Sequence, residues 1–198
     1  MSRLLLAVLL LLAGCAAGEP TTGAASSAVA PTPSRSAAYD AALHDELVAM
    51  LERDQSGRTG GPDPEGDAAR TARLAEILDA HGWPTRELVG EDGAEAAWAI
   101  AQHSDLDPAF QQRALELLRQ AVAAGQASPG ELAYLTDRVA ANTGRPQTYG
   151  TQVSCTPDGP QPAVPLADPA AVERLRAEAD LDPLAAYLAE MADICAEE

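Results

Sequence analysis

Four dipeptides divide the second half of this chain before any other pattern is weighed. Asp107-Pro108, Ser128-Pro129, Asp168-Pro169 and Asp182-Pro183 each place a capping side chain directly ahead of a proline. Proline at the first helical position loses no hydrogen bond, because that N–H has no partner within a helix, and its fixed φ already suits the turn. The Asp or Ser before it can accept from the open N–H groups of the first turn. Ser128 and Glu131 also have the spacing of a capping box. Gly82 and Gly125 fit as stops of the preceding helices.

Apolar spacing fills in the rest. It predicts a helix over about 37–55, with Tyr39, Leu43, Leu47, Met50 and Leu51 on one stripe. Residues 56–66 read as loop. A helix over 67–81 turns Leu74, Ile77 and Leu78 inward, with Asp67 as its expected cap. The helix over 92–104 contains AAWAIA, apolar on every face, so it should be central. The helix over 108–124 should bury Phe110, Ala114, Leu117, Leu118 and Ala121. The helix over 129–142 should bury Leu132, Leu135 and Val139. Two more are expected over 169–179 and 183–196. Between them GRPQTYGTQVSC alternates, with Gln147, Tyr149, Thr151 and Val153 on one face and Thr148, Gly150, Gln152 and Ser154 on the other. Pro157-Asp158-Gly159-Pro160 reads as a turn, and Ala163-Val164 as the start of a return strand. The expected fold class is mainly α, a compact domain of about seven helices with one small β-hairpin at about 147–166. Aromatic residues at 4% and an Ala content of roughly a fifth point the same way.

The amino terminus carries an address. Arg3 precedes an apolar run, Leu4–Leu12, that is too short to span a bilayer at roughly 20 residues. The run ends in Leu12-Ala13-Gly14-Cys15, which resembles a bacterial lipobox. That resemblance implies cleavage before Cys15 and a diacylglycerol thioether on its sulfur, often with an acyl chain such as palmitate on its amine. Two or three chains give stable anchoring. Residues 1–14 then form a lipoprotein signal peptide. Residues 15–36 form the lipidated Cys and a small, polar, Pro-containing tether that cannot bury enough surface to order itself. Residues 37–198 form a single helical domain. An ordinary signal peptide or an uncleaved anchor is the alternative. The expected place is the extracytoplasmic face of a bacterial membrane, reached through lipid alone. With Cys15 acylated, Cys155 and Cys195 remain for a bridge in an oxidising compartment, or as two buried thiols.

Charge narrows the chemistry. The net charge is -17, from 30 acids and 13 bases. Every base is Arg, so P-loop and Schiff-base lysines are excluded. No basic run offers phosphate neutralisation, which argues against nucleic acid. No cofactor motif is present. His103 and Asp105 lack a recognised ligand spacing, and His44 and His81 have no partner motif, so no metal is expected.

Some polar residues sit on faces that should be apolar. Asp54 continues the stripe of Leu43, Leu47 and Met50, and Asp105 the stripe of Ala94, Trp98 and Ala101. A carboxylate there needs a partner, and Arg53, Arg58 and Arg138 are candidates. The alternative is that both are caps or closed structural pairs. His103 lies on the Ile100 side of the all-apolar helix. Tyr134, Asp137 and Arg138 turn away from Leu132, Leu135 and Val139, either to solvent or to a ligand. Gln147, Tyr149 and Gln152 add amides and a phenol, and Gly150 permits close backbone approach.

The same residues carry a resemblance. Arg53-Asp54-Gln55, Gly82-Trp83-Pro84, Gln102-His103-x-Asp105, Gln111, Tyr134-Leu135-x-Asp137-Arg138 and Gly144-x-x-Gln147-x-Tyr149-Gly150-Thr151-Gln152 occur in this order. Together they resemble a bacterial family classed as a domain of unknown function, often found on lipoproteins, over about 39–190. Glu173-Arg174-Leu175-Arg176 and Asp180-Leu181 depart from the usual pattern. The resemblance implies a domain and no chemistry.

The leading expectation is a membrane-anchored protein that binds a polar small molecule, glycan or peptide of the cell envelope. Arg53, Asp54, Gln55, Gln102, His103, Asp105, Tyr134, Asp137, Arg138, Gln147, Tyr149 and Gln152 would line one pocket between helices and hairpin. One alternative is an envelope hydrolase using an Asp pair or His103, the pair lying about 5–9.5 Å apart for glycoside chemistry. Another is a structural helical spacer.

Overall fold

The computed structural model describes residues 38–196. The expected signal peptide, Cys15 and the tether lie outside the described residues. Helix α1 (Ala41–Arg58) starts where Asp40 accepts from the N–H groups of Ala42 and Leu43, at 3.1 and 3.0 Å. Tyr39 therefore lies ahead of the helix and is exposed, its ring beside His44 rather than in the core. The helix also runs past residue 55, because Asp54 and Arg58 pair across one turn.

Helix α2 (Gly66–His81) ends at Gly82, whose φ of 71° only glycine adopts freely. Asp67 caps nothing; it lies in the first turn and pairs with Arg58 and Arg70. Helix α3 (Arg86–Gln102) begins earlier than expected, because Thr85 caps a first turn that Gly90 then breaks from the rest (φ 76°, ψ 174°). Helix α4 (Pro108–Ala123) and helix α5 (Pro129–Asn142) start at their cap-proline pairs, and the Ser128–Glu131 capping box is formed. In α4 the core takes Leu115 in place of Leu117, and in α5 Leu132 is half-buried.

Beyond α5 the reading and the structure diverge. Residues 144–152 form a wrapped loop rather than a strand, since Gly150 has φ +71° and ends any extended run. The hairpin is shorter: β1 (Val153–Thr156) pairs antiparallel with β2 (Gly159–Pro162), Val153 opposite Pro162 and Thr156 opposite Gly159. Asp168 does cap, accepting from Ala170 and Ala171, but that turn is not continuous with α6 (Val172–Glu178). Helix α7 (Leu184–Cys195) has Pro183 as its cap residue, with no side-chain bond. Cys155 and Cys195 form a disulfide that ties β1 to the end of α7, with Cα atoms 5.5 Å apart.

The core is built around α3, which packs on α1, α2, α4 and α5. Ala94, Ala96, Ala97, Ala99 and Ala101 are all buried. Small side chains on every face let one helix take four neighbours without overpacking. Leu47, Leu74, Ile100, Leu118 and Leu135 fill the space between the axes. Trimming one of these to Ala would cost about 2–5 kcal/mol.

Candidate functional site

The inward stripe of α1 ends in a carboxylate. Asp54 is 1% exposed and meets the carboxyl end of α3. Arg58 holds it with two hydrogen bonds, Nε to Oδ2 at 3.0 Å and Nη2 to Oδ1 at 2.9 Å. Gln55 donates to Oδ2 at 3.0 Å. His103, the cap residue of α3, brings Nδ1 within 2.7 Å of the same oxygen. Burial alone would raise the Asp54 carboxyl, but the Arg58 hydrogen bond and the facing His103 outweigh it and hold the group below its usual range. Burial lowers His103, and the Arg58 charge adds to this against the pull of Asp54.

A second carboxylate closes the other side. Asp105 receives Arg138 through Nε at 2.9 Å and through Nη2. Asn142 and Gln111 also donate to Oδ1, at 2.7 and 3.1 Å. Burial would raise Asp105, yet these donors keep it low. Arg138 spends Nη1 on Gln152 Oε1 at 3.0 Å. That bond joins α5 to the loop before β1.

The loop is held by Asp137, which is fully buried rather than solvated. Its carboxylate accepts from the N–H groups of Thr148, Tyr149 and Thr151 and from the Thr151 hydroxyl. Gln147, also fully buried, donates to the carbonyls of Gln152 and Val164 and accepts from Gln152 N. Arg176, 1% exposed on α6, donates to the carbonyls of Tyr149 and Asp182 and lies 5.0 Å over the Tyr187 ring. The departing helix α6 thus serves the loop through one residue.

These supports surround a hollow of about 500 Å³. Six of the twelve expected residues line it: Gln55, Gln102, His103, Tyr134, Arg138 and Gln152. Asp54 and Asp105 stand behind His103 and Arg138 as partners. Asp137 and Gln147 are committed to the loop. Tyr149 gives it backbone groups, and burial raises its phenol. Arg53 turns outward to Glu65 at 3.1 Å. The expectation of one twelve-residue lining is corrected to an inner row and a supporting row, because buried carboxylates are neutralised where they lie.

Leu51, Glu95, Trp98 and Ala99 also line the hollow and were missed as site residues. Glu95, Trp98 and Gln102 stand at i, i+3 and i+7 of an otherwise Ala-rich helix, which is the signal that marks them. Trp98 Nε1 donates to the Glu131 carbonyl at 2.9 Å, and its ring meets Tyr134 edge-on at 6.0 Å. With its amide oxygen toward the available donors, Gln102 accepts from Trp98 Nε1 at 3.2 Å and Leu135 N at 2.8 Å. Its N–H2 end then faces the other way. Among the described residues, no cluster of three or more His, Cys, Asp or Glu could hold a metal ion. No helix among them is long and apolar enough to cross a membrane.

A model described as a family of unknown function (DUF6624) matches residues 63–196. The match begins beyond α1, so Arg53-Asp54-Gln55 lie outside it. No curated protein and no solved structure matches the chain.

Proposed function

The chain belongs to the family of unknown function DUF6624, and from that premise we propose that it is a lipid-anchored extracytoplasmic protein whose hollow binds a polar ligand without net negative charge. The lipobox-like Leu12-Ala13-Gly14-Cys15 supports the anchor. The observation that carries the ligand reading is the convergence of Gln55, Gln102, His103, Arg138 and Gln152, from four separate segments, on one hollow beside Trp98 and Tyr134. A cleft of this size suits a small ligand. Arg138 is neutralised by Asp105 and His103 is held uncharged near neutral pH, while Glu95 forms no ion pair among the described residues. The lining therefore repels anions. Amide and imidazole groups beside two aromatic rings fit a sugar or short peptide of the envelope.

Pre-ordered side chains support the same reading. Asp54 fixes His103 and Asp105 fixes Arg138, so a ligand need not order them. A thermal-shift screen of neutral envelope fragments, N-acetylglucosamine and short peptides among them, tests the proposal. A fragment at 100 times its Kd adds about 2.7 kcal/mol of stability. Gln152→Ala should abolish that gain. No gain from any fragment would favour the structural spacer. Cys15→Ser should move the protein from the membrane to the soluble fraction.

A further inference from the structure

His103 Nδ1 has two close neighbours of opposite kind. Asp54 Oδ2, a permanent acceptor, is 2.7 Å away, and Arg58 Nε, a permanent donor, is 3.0 Å away. Arg58 Nε also has Asp54 Oδ2 at 3.0 Å, so its proton is used there. Without a proton on Nδ1, two acceptors would face each other at 2.7 Å. The proton therefore belongs on Nδ1, donated to Asp54. The lone pair is left on Nε2, across the ring from Asp54. The described residues offer Nε2 no hydrogen bond, and His103 lines the hollow.

We propose that the Asp54–His103 pair makes this hollow a hydrolytic site, in which His103 Nε2 takes a proton from water as that water attacks an uncharged carboxylic ester or amide. The inference rests on the ligand reading of the same hollow. Among the described residues no Ser, Thr or Cys lines it, and the proposed nucleophile is water. The water oxygen bonds to the carbonyl carbon while its proton passes to Nε2, and the carbonyl π pair moves to oxygen. When that pair returns, the bond to the leaving alcohol or amine breaks. The leaving group takes the proton from Nε2, and the imidazole is restored. Gln102 and Arg138 both line the hollow, and the second N–H of Arg138 Nη1, the first being given to Gln152, is the donor for the developing oxyanion. Asp54 is a positioning residue: it sets the tautomer.

The charged groups around His103 are Asp54 and Arg58 from α1, Asp67 and Arg70 from α2, Arg138 from α5 and Glu95 on its own helix. Burial and Arg58 keep the ring neutral, as a base working near neutral pH requires.

The test uses the full chain with p-nitrophenyl acetate, an uncharged ester. The rate should rise with pH through one midpoint below 6.5, the ordinary histidine value, and then level off. His103→Ala should lower it about 100-fold or more, and Asp54→Asn by a similar factor, because an amide would hold the wrong tautomer. Asp54→Asn removes a buried charge partner of Arg58 and can unfold the protein. The ¹⁵N spectrum of His103 in the unaltered chain is independent of that: the proton should sit on Nδ1. A proton on Nε2, or a His103→Ala variant as fast as the parent, overturns the inference. Stabilisation by envelope fragments without ester turnover also overturns it and leaves the ligand reading standing. Absence of both removes both.

Discussion

Thr151 gives Asp137 two hydrogen bonds at once: its backbone N–H, at 2.9 Å, and its hydroxyl, at 3.1 Å, both reach Oδ2. The N–H groups of Thr148 and Tyr149 complete the set around the carboxylate. One side chain on α5 thus shapes the loop that carries Gln152 to the hollow. Asp137→Ala would leave these buried donors unpaired, at a cost of about 3–5 kcal/mol. Asp137→Asn should fall between, since its N–H2 would face a donor. Urea unfolding of both variants measures this. A loss under about 1 kcal/mol for the Ala variant would mean the loop is held elsewhere.

Stability should fall in two stages as pH drops. The folded His103 binds its proton less readily than the unfolded chain does, so the unfolded state takes up more protons below 6.5. That contribution is present above 6.5 and is lost as pH falls below it through the lower folded value. His44 is raised by hydrogen bonds to Asp45 and Asp92 and acts in the opposite sense, contributing below 6.5 and fading as pH rises. His103→Ala should therefore flatten or invert the slope between pH 5 and 7, read as urea midpoints.

The acid stage belongs to the carboxylates. The hydrogen bonds from Arg70, with that from the Gly66 N–H, hold Asp63 down to about 2, and Asp54 and Asp105 are also lowered. Their contributions are complete above the unfolded value of 3.8 and disappear as pH falls toward 2. Asp63→Asn should flatten part of that acid limb and lower the urea midpoint at pH 5 to 7 without changing its slope there.

Reducing the Cys155–Cys195 bridge should act on the carboxyl end first. It closes a 40-residue separation, worth about 4 kcal/mol in the chain-entropy model. No residue of α7 is fully buried, and Tyr187, whose hydroxyl donates to the Thr151 carbonyl, is among its remaining ties to the loop. Hydrogen exchange with and without reductant should show α7 amides losing protection before those of α3. Equal loss in both would show that the two helices open as one unit.

Gly150→Ala should disrupt the loop two residues ahead of Gln152. Its φ is +71°, and a Cβ there would lie 3.0 Å from Leu184 Cδ1 and 3.1 Å from Leu166 Cδ2. Left-handed strain and crowding together should cost about 1–3 kcal/mol. An unchanged melting temperature would show that the loop can shift at no cost.

The helices were legible because their signals are local. Asp107-Pro108 and Ser128-Pro129 state starts through capping and a fixed φ, and the AAWAIA run states that α3 is surrounded. The Cys155–Cys195 bridge was expected, over two free thiols, only with Cys15 set aside for lipid. Local alternation misled at 147–152, where a buried carboxylate eleven residues upstream outbids the sheet ladder for the backbone N–H groups. The polar residues were found as exceptions on apolar faces, but not their division into an inner and a supporting row. That division depends on which guanidinium reaches which carboxylate across helices, as Arg138 reaches Asp105 and Arg58 reaches Asp54. Spacing along one helix fixes which face a side chain leaves from. Only packing between helices fixes what it meets there, and that meeting left Nε2 of His103 without a partner among the described residues while neutralising Asp54 behind it.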